Sequence, residues 1–223
     1  MKNTFTWAAC AAAITLASCG APAETNSDTA PAKEETKTAE AASFIGGTYT
    51  IDPAASTVNW KGTEITTNFH VGTINVHKGT IDVLDNAIAK AFVAIDMNSM
   101  VCTDEGMDED TKANLIGHLS SDDFFGVEQF QYSRLDIEGI KVKGGEALAY
   151  GQIVIREIAQ PINFPVTISD EERNIVVDAS VTFDRSKHDV KFRSGAFPDL
   201  FPNLGDKLIN DDIELDVHIV ATL

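Results

Sequence analysis

Beyond Phe44 the apolar and polar positions alternate with a period of two. Asn174 to Asp184 places Ile175, Val177, Ala179, Val181 and Phe183 on one face. Asn174, Asp178, Ser180, Thr182 and Asp184 fall on the other, with Val176 as the exception. Asp212 to Thr222 repeats the pattern, with Ile213, Leu215, Val217, Ile219 and Ala221 opposite Asp212, Glu214, Asp216 and His218. Such alternation predicts half-buried antiparallel strands. Less regular runs predict further strands near 57–65, 70–76, 79–84, 90–97, 131–138, 146–155 and 160–168. Turn signals at Lys78-Gly79, Asp85-Asn86, Gly144-Gly145 and Ser169-Asp170 punctuate them. One segment differs. Met107 to Leu119 begins with Asp108, Glu109 and Asp110 and spaces Leu115 and Leu119 four apart, which predicts one short helix.

Eight to ten strands at hairpin spacing with a single helix predict an all-β sandwich or a closed barrel. Closure removes exposed edges. An eight-stranded barrel is either filled by its own side chains or holds one small ligand, and periodicity does not choose between the two.

Composition narrows the partners. The 223-residue chain has a formal charge of −17, and most of it lies beyond residue 43. That argues against nucleic acid, which needs a clustered basic face. The aromatic residues are 12 Phe against 3 Tyr and 2 Trp. Phe has no polar handle, so the excess suits a greasy interior.

The N-terminus carries its own signal. After Met1 and Lys2, an apolar run from Trp7 to Ala17 has the length of a signal-peptide core and is too short for a membrane span. It ends in Leu16-Ala17-Ser18-Cys19-Gly20, which resembles the bacterial lipobox. The resemblance implies a lipoprotein signal peptide over 1–18, acylation of Cys19, and anchoring in the bacterial cell envelope, at the outer membrane facing the periplasm or exposed at the cell surface. Residues 19–43 are rich in Ala, Thr, Glu and Pro and read as a disordered tether, leaving 44–223 as the folded domain. Cys10 leaves with the signal and Cys19 takes lipid, so Cys102 has no intramolecular partner and reads as a small packed hydrophobe.

Motifs that carry chemistry are absent from the sequence: no Gly-x-Ser-x-Gly, His-Glu-x-x-His, Cys-x-x-Cys or phosphate loop. No metal, cofactor or catalytic residue is expected. His70 and His77 are seven apart and face opposite sides of an ideal strand. The acidic stretch Asp104 to Asp110 lacks the ligand spacing of a calcium loop and reads as a solvated lead into the helix. Ser186, His188 and Asp189 supply the residue types of a hydrolase triad, but neighbours this close rarely converge.

Several segments in order resemble the YceI-type family of lipid- and polyisoprenoid-binding proteins. They are Tyr49-Thr50-Ile51-Asp52 with Ser56-Thr57-Val58-Asn59-Trp60, and His70-Val71-Gly72 leading to Lys78-Gly79-Thr80-Ile81 as a hairpin. Leu119 to Val127 with its Asp-Phe-Phe, Gly151 to Ile155, Phe183-Asp184-Arg185-Ser186-Lys187-His188 and Gly205-Asp206-Lys207 complete the set. Gln131 and Glu157 stand where that family often has Pro and Gly. The resemblance implies an eight-stranded antiparallel lipocalin-like barrel with a helix near one end. It also implies a cavity for an isoprenoid or fatty amphiphile, and frequent homodimers. The lining expected by position is Trp60, Phe92, Phe124, Phe125, Phe164 and Phe183. The alternative is a structural or stress-response envelope lipoprotein whose barrel is filled and holds no ligand.

Overall fold

The computed structural model describes residues 44–64, 68–143 and 146–223. The expected signal peptide, Cys19, the tether and the Gly144-Gly145 turn lie outside the described residues.

Nine strands and one helix follow in order: β1 (Gly47–Ile51), β2 (Thr57–Glu64), β3 (Phe69–Leu84), β4 (Ala87–Cys102), α1 (Glu109–Ser120), β5 (Tyr132–Lys143), β6 (Glu146–Ile155), β7 (Ile158–Glu171), β8 (Asn174–Asp184) and β9 (Ile209–Thr222). Every pairing is antiparallel, and the ring closes through β3–β4 and β2–β9. The result is an eight-stranded barrel, because β1 and β2 share one position in the wall. β1 covers β3 at Thr80–Val83, and β2 covers it at Phe69–Ile74. The break between them is stapled. Asp52 Oδ1 accepts from Ala54 N at 2.9 Å, and Ser56 Oγ donates to Asp52 O at 2.7 Å. Ser56 Oγ in turn accepts the Val220 amide of β9 at 3.1 Å.

The faces derived from alternation are the faces observed. Val181 and Phe183 point into the barrel, while Asp178, Ser180 and Thr182 are exposed. Along β9, Asp212, Glu214 and Asp216 are exposed. A wall this charged on the outside faces water rather than hydrocarbon.

Two expected turns are not turns. Lys78-Gly79 lies inside β3, which runs unbroken for 16 residues. The Gly-to-Gly segment is therefore one bulged strand and not a hairpin, with register shifts at Thr73/Asn75 and Val76/Lys78. Gly79 is there for close approach. A Cβ on it would collide with the Phe92 carbonyl oxygen and the Ile51 side chain. Ser169-Asp170 also stays in strand, and the chain reverses at Glu172-Arg173 instead. That turn and the one at Arg156-Glu157 put both central residues at left-handed φ, between 51° and 73°. Two-residue hairpins need this conformation to match strand twist, but it favours Asn and Gly. Among the described two-residue turns, Asp85-Asn86, with φ of 52° and 62°, uses a favoured type.

Helix α1 starts where the acids predict. Asp108 caps it, accepting from Thr111 N at 2.8 Å and Thr111 Oγ1 at 3.0 Å. Those bonds hold the Asp108 carboxyl below the usual carboxylate range. Asp104 is structural too. It receives the Val71 amide at 3.1 Å and lies 2.7 Å from His70 Nδ1.

The two ends of the barrel differ. At one end Tyr49, Ile51, Ile81, Val83, Ile175 and Ala221 pack into a closed apolar plug. At the other, α1 and the segment 185–193 roof a hollow.

Candidate ligand-binding chamber

The hollow is a chamber of about 300 Å³. Its walls come from the strand ends nearest the helix: Trp60, Met97, Met100, Ile155, Phe183 and Ile213 are typical. Leu115, His118 and Leu119 of α1 and Phe124 and Phe125 beyond it form the roof. A second, wholly apolar pocket of about 120 Å³ lies deeper in the barrel. The two abut at Val58, Ile95, Ile153 and Leu215, which line both. A wider recess of about 760 Å³ crosses the outside of the wall, but Asp178, Asp216 and Glu146 mark it as an open acidic face.

Four of the six residues expected to line the cavity meet at the chamber: Trp60, Phe124, Phe125 and Phe183. Phe164 lines the deeper pocket. Phe92 does not line either one. Its neighbours Ala91, Val93 and Ile95 point inward, so strand parity turns Phe92 outward, beside Thr80 and Asp136. The expectation for Phe92 is corrected accordingly.

Trp60 sits where it does because of Gly72. The two are paired across β2 and β3, and a Cβ on Gly72 would occupy the space of the indole ring and of the Val101 carbonyl oxygen. The indole Nε1 donates to Thr73 O at 3.2 Å, so its polar edge is satisfied in the wall.

The roof is an aromatic cluster. His118 meets the Phe124 and Phe192 rings edge-on at centroid distances of 5.0 and 4.6 Å. Phe124 and Phe192 are 5.4 Å apart. The loop after α1 folds back on the helix through Phe125 N to Leu119 O at 3.1 Å and Val127 N to Ser120 O at 2.8 Å. Arg156, from its strained hairpin, donates Nη1 to the carbonyls of Asp122 and Phe124 and lies over the Phe130 ring.

Arg185 holds the rest of the roof. It is fully buried, with a relative exposure of 0%. Nε donates to Asn210 O at 3.0 Å, Nη1 to Val190 O and Phe192 O at 3.1 and 3.0 Å, and Nη2 to Ile209 O at 3.1 Å. Asp211 Oδ1 lies 3.2 Å from Nη2 as an ion pair without hydrogen-bond geometry. Burial pulls the guanidinium pKa down, and Asp211 and Asp184 oppose that. The sequence did carry a signal. The inward parity of Val181 and Phe183 continues to Arg185. Met97, Met100, Phe192 and Arg193 also line the chamber without having been singled out.

The triad residue types do not assemble. Ser186 Oγ donates to Asp184 Oδ1 at 2.6 Å as part of a turn cap. Burial alone would raise the Asp184 carboxyl, but bonds from Ser186 and Lys187 outweigh it and hold it low. His188 Nδ1 lies 3.0 Å from Ile158 O, and a carbonyl only accepts, so Nδ1 carries the proton. Among the described residues no cluster of metal-ligating side chains occurs.

His188 makes stability pH-dependent. Burial lowers its pKa from the ordinary 6.5. The unfolded chain therefore binds a proton that the native imidazole refuses, and stability falls as pH drops below 6.5 toward the native value. Urea midpoints taken from pH 7.5 to 5 should fall more steeply for the wild type than for His188→Gln. Equal slopes would remove this role.

A closed antiparallel barrel with an apolar chamber under one helix defines the class of small barrels that can hold one ligand inside. The YceI-like domain model matches residues 49–221, and the chain belongs to that family. No curated protein sequence matches. Among solved structures, Burkholderia cenocepacia BcnA aligns with a TM-score of 0.56 at 20% identity, over 77% of this chain and 99% of that one. A structure described as a polyisoprenoid binding domain from Saccharophagus degradans, implicated in plant cell wall breakdown, aligns at 0.58 and 14% identity, over 78% and 97%. At these identities the likeness establishes the fold.

Proposed function

We propose that the protein is a lipid-binding module of the bacterial envelope, anchored through an acylated Cys19, that carries an isoprenoid or fatty amphiphile in its barrel. The observation behind this reading is the apolar chamber continued by a deeper pocket without a polar wall. Burial of an alkyl chain there is favourable by about 25 cal/mol per Å² before ordering costs. The family and the polyisoprenoid-binding domain of S. degradans support the same ligand class. The role is binding without turnover. Among the described residues no helix is long and apolar enough to cross a membrane.

The test compares native and denaturing mass spectra of the full chain carrying Cys19→Ser, so that anchor acyl chains are not mistaken for cargo. One extractable lipid-like molecule per barrel is expected, together with acyl mass on the wild type that Cys19→Ser lacks. Phe183→Asp, checked for folding by circular dichroism, should lose uptake, since a carboxylate in an apolar wall repels a hydrocarbon chain. An empty wild-type barrel that also refuses added amphiphiles would overturn the reading and favour the filled-barrel alternative.

A further inference from the structure

Resting on that binding reading, we infer that the cargo is a short single-chain amphiphile of about 12–17 carbons whose anionic head is held by Arg193.

Charge at the chamber runs against the molecule. The chain carries −17, yet three of its five arginines, Arg134, Arg185 and Arg193, border this one cavity, although Arg134 shares the outward parity of Asp136 and its side chain is 54% exposed. Glu64 is the single acid on the lining. The three arginines are not equivalent. Arg185 is consumed by four carbonyls and Asp211. Arg134 Nε is bound to Asp136 Oδ2 at 2.9 Å. Arg193 is half-buried, and among the described residues no carboxylate pairs with it. Its guanidinium lies 5.1 Å from the Phe192 ring centroid. Its backbone is held at a left-handed φ of 50°, and its carbonyl accepts the Ile209 amide at 3.0 Å. An uncompensated planar cation on an apolar chamber suits a carboxylate or phosphate, which its fork binds through two bonds.

The volumes set the chain length. A dry cavity of about 150 Å³ accepts benzene, or about 25 Å³ per carbon. On that scale the outer chamber of about 300 Å³ seats about 12 carbons and the inner pocket of about 120 Å³ about five more. The chain cannot continue through the barrel, because the plug around Ile51, Ile81 and Ala221 closes the far end. A chain longer than about 17 carbons would leave its remainder outside the chamber mouth. Ile153 lines both spaces and is the point at which a larger side chain would separate them.

The probes are saturated carboxylates of graded length, the matching monoalkyl phosphates and primary alcohols, and a long polyprenol. Binding to the full Cys19→Ser chain is read by titration calorimetry. Affinity should rise to an optimum near 12–17 carbons and then fall, and at the optimum an anionic head should exceed the alcohol by about tenfold. The carboxylate and phosphate series tell which anion is preferred. Arg193→Gln should erase the anion-over-alcohol ratio, and Ile153→Phe should move the optimum about four or five carbons shorter. Binding of the alcohols and the polyprenol without a head preference or a length optimum would overturn this inference while leaving the binding reading intact. Refusal of every probe would overturn both.

Discussion

Arg185→Met is expected to lower the stability of the domain by about 3–5 kcal/mol, the range for breaking a buried ion pair by removing one partner. Methionine fills much of the volume, so the loss measures the polar network rather than a void. Four carbonyls, on Val190, Phe192, Ile209 and Asn210, would be buried without donors, and Asp211 would lose its counter-ion. Arg185→Lys should recover little, because one ammonium cannot reach carbonyls arranged around a planar fork. Adding Asp211→Asn to Arg185→Met should restore part of the loss, since it removes the orphaned charge. Chemical unfolding of the wild type, Arg185→Met, Asp211→Asn and the double variant gives the cycle. A cost under about 1 kcal/mol for Arg185→Met would show that the network is dispensable. Chamber binding should weaken with stability here, because the same carbonyls position Phe192 in the roof.

Gly72→Ala is expected to destabilise by about 3 kcal/mol, at the upper end of the range for overpacking. The added methyl meets the Val101 carbonyl oxygen on one side and the Trp60 ring on the other. The first is backbone in a paired strand and cannot turn aside. The second can move only by leaving its bond to Thr73 O and swinging off the chamber wall. The chain's two tryptophans are Trp7 and Trp60, so the difference in emission between variant and wild type reports Trp60, which should shift to longer wavelength as the ring becomes wetter. Unchanged emission together with an unchanged unfolding midpoint would contradict the packing described for this pair.

The strands with clean alternation, β8 and β9, were legible because each has one face in the barrel and one in water, and side chains record that directly. Helix α1 was legible from Asp108 and the Leu115/Leu119 spacing. Strand β3 was not legible as one element, because Gly79 looks the same in sequence whether it permits a turn or a close approach. The hairpins at Arg156-Glu157 and Glu172-Arg173 were hidden for the opposite reason, since their residue types disfavour the backbone they adopt. Tertiary pairing of β6 with β7 and of β7 with β8 overrides that local preference. At the chamber, residue type pointed to Phe92 while parity pointed away from it, and parity prevailed. Arg185 shows the converse. Its inward parity was readable, but a lone arginine after a strand gives no hint that four carbonyls from two later segments will surround it.

The position of β1 has a mechanical consequence. The chain enters the domain at the plugged end: Phe44 N bonds Asn86 Oδ1 at 2.6 Å, and Gly47 pairs with Val83 beside the same turn. The helix and the chamber lie at the opposite pole. A pull arriving from the N-terminal side would load β1 along its own axis, where its bonds to β3 and β9 share the force as shear. The staple at Asp52 and Ser56 comes next, before any strain reaches β2 and Trp60. Traction on the leading segment would thus load the plugged end of the barrel before the end that holds the chamber.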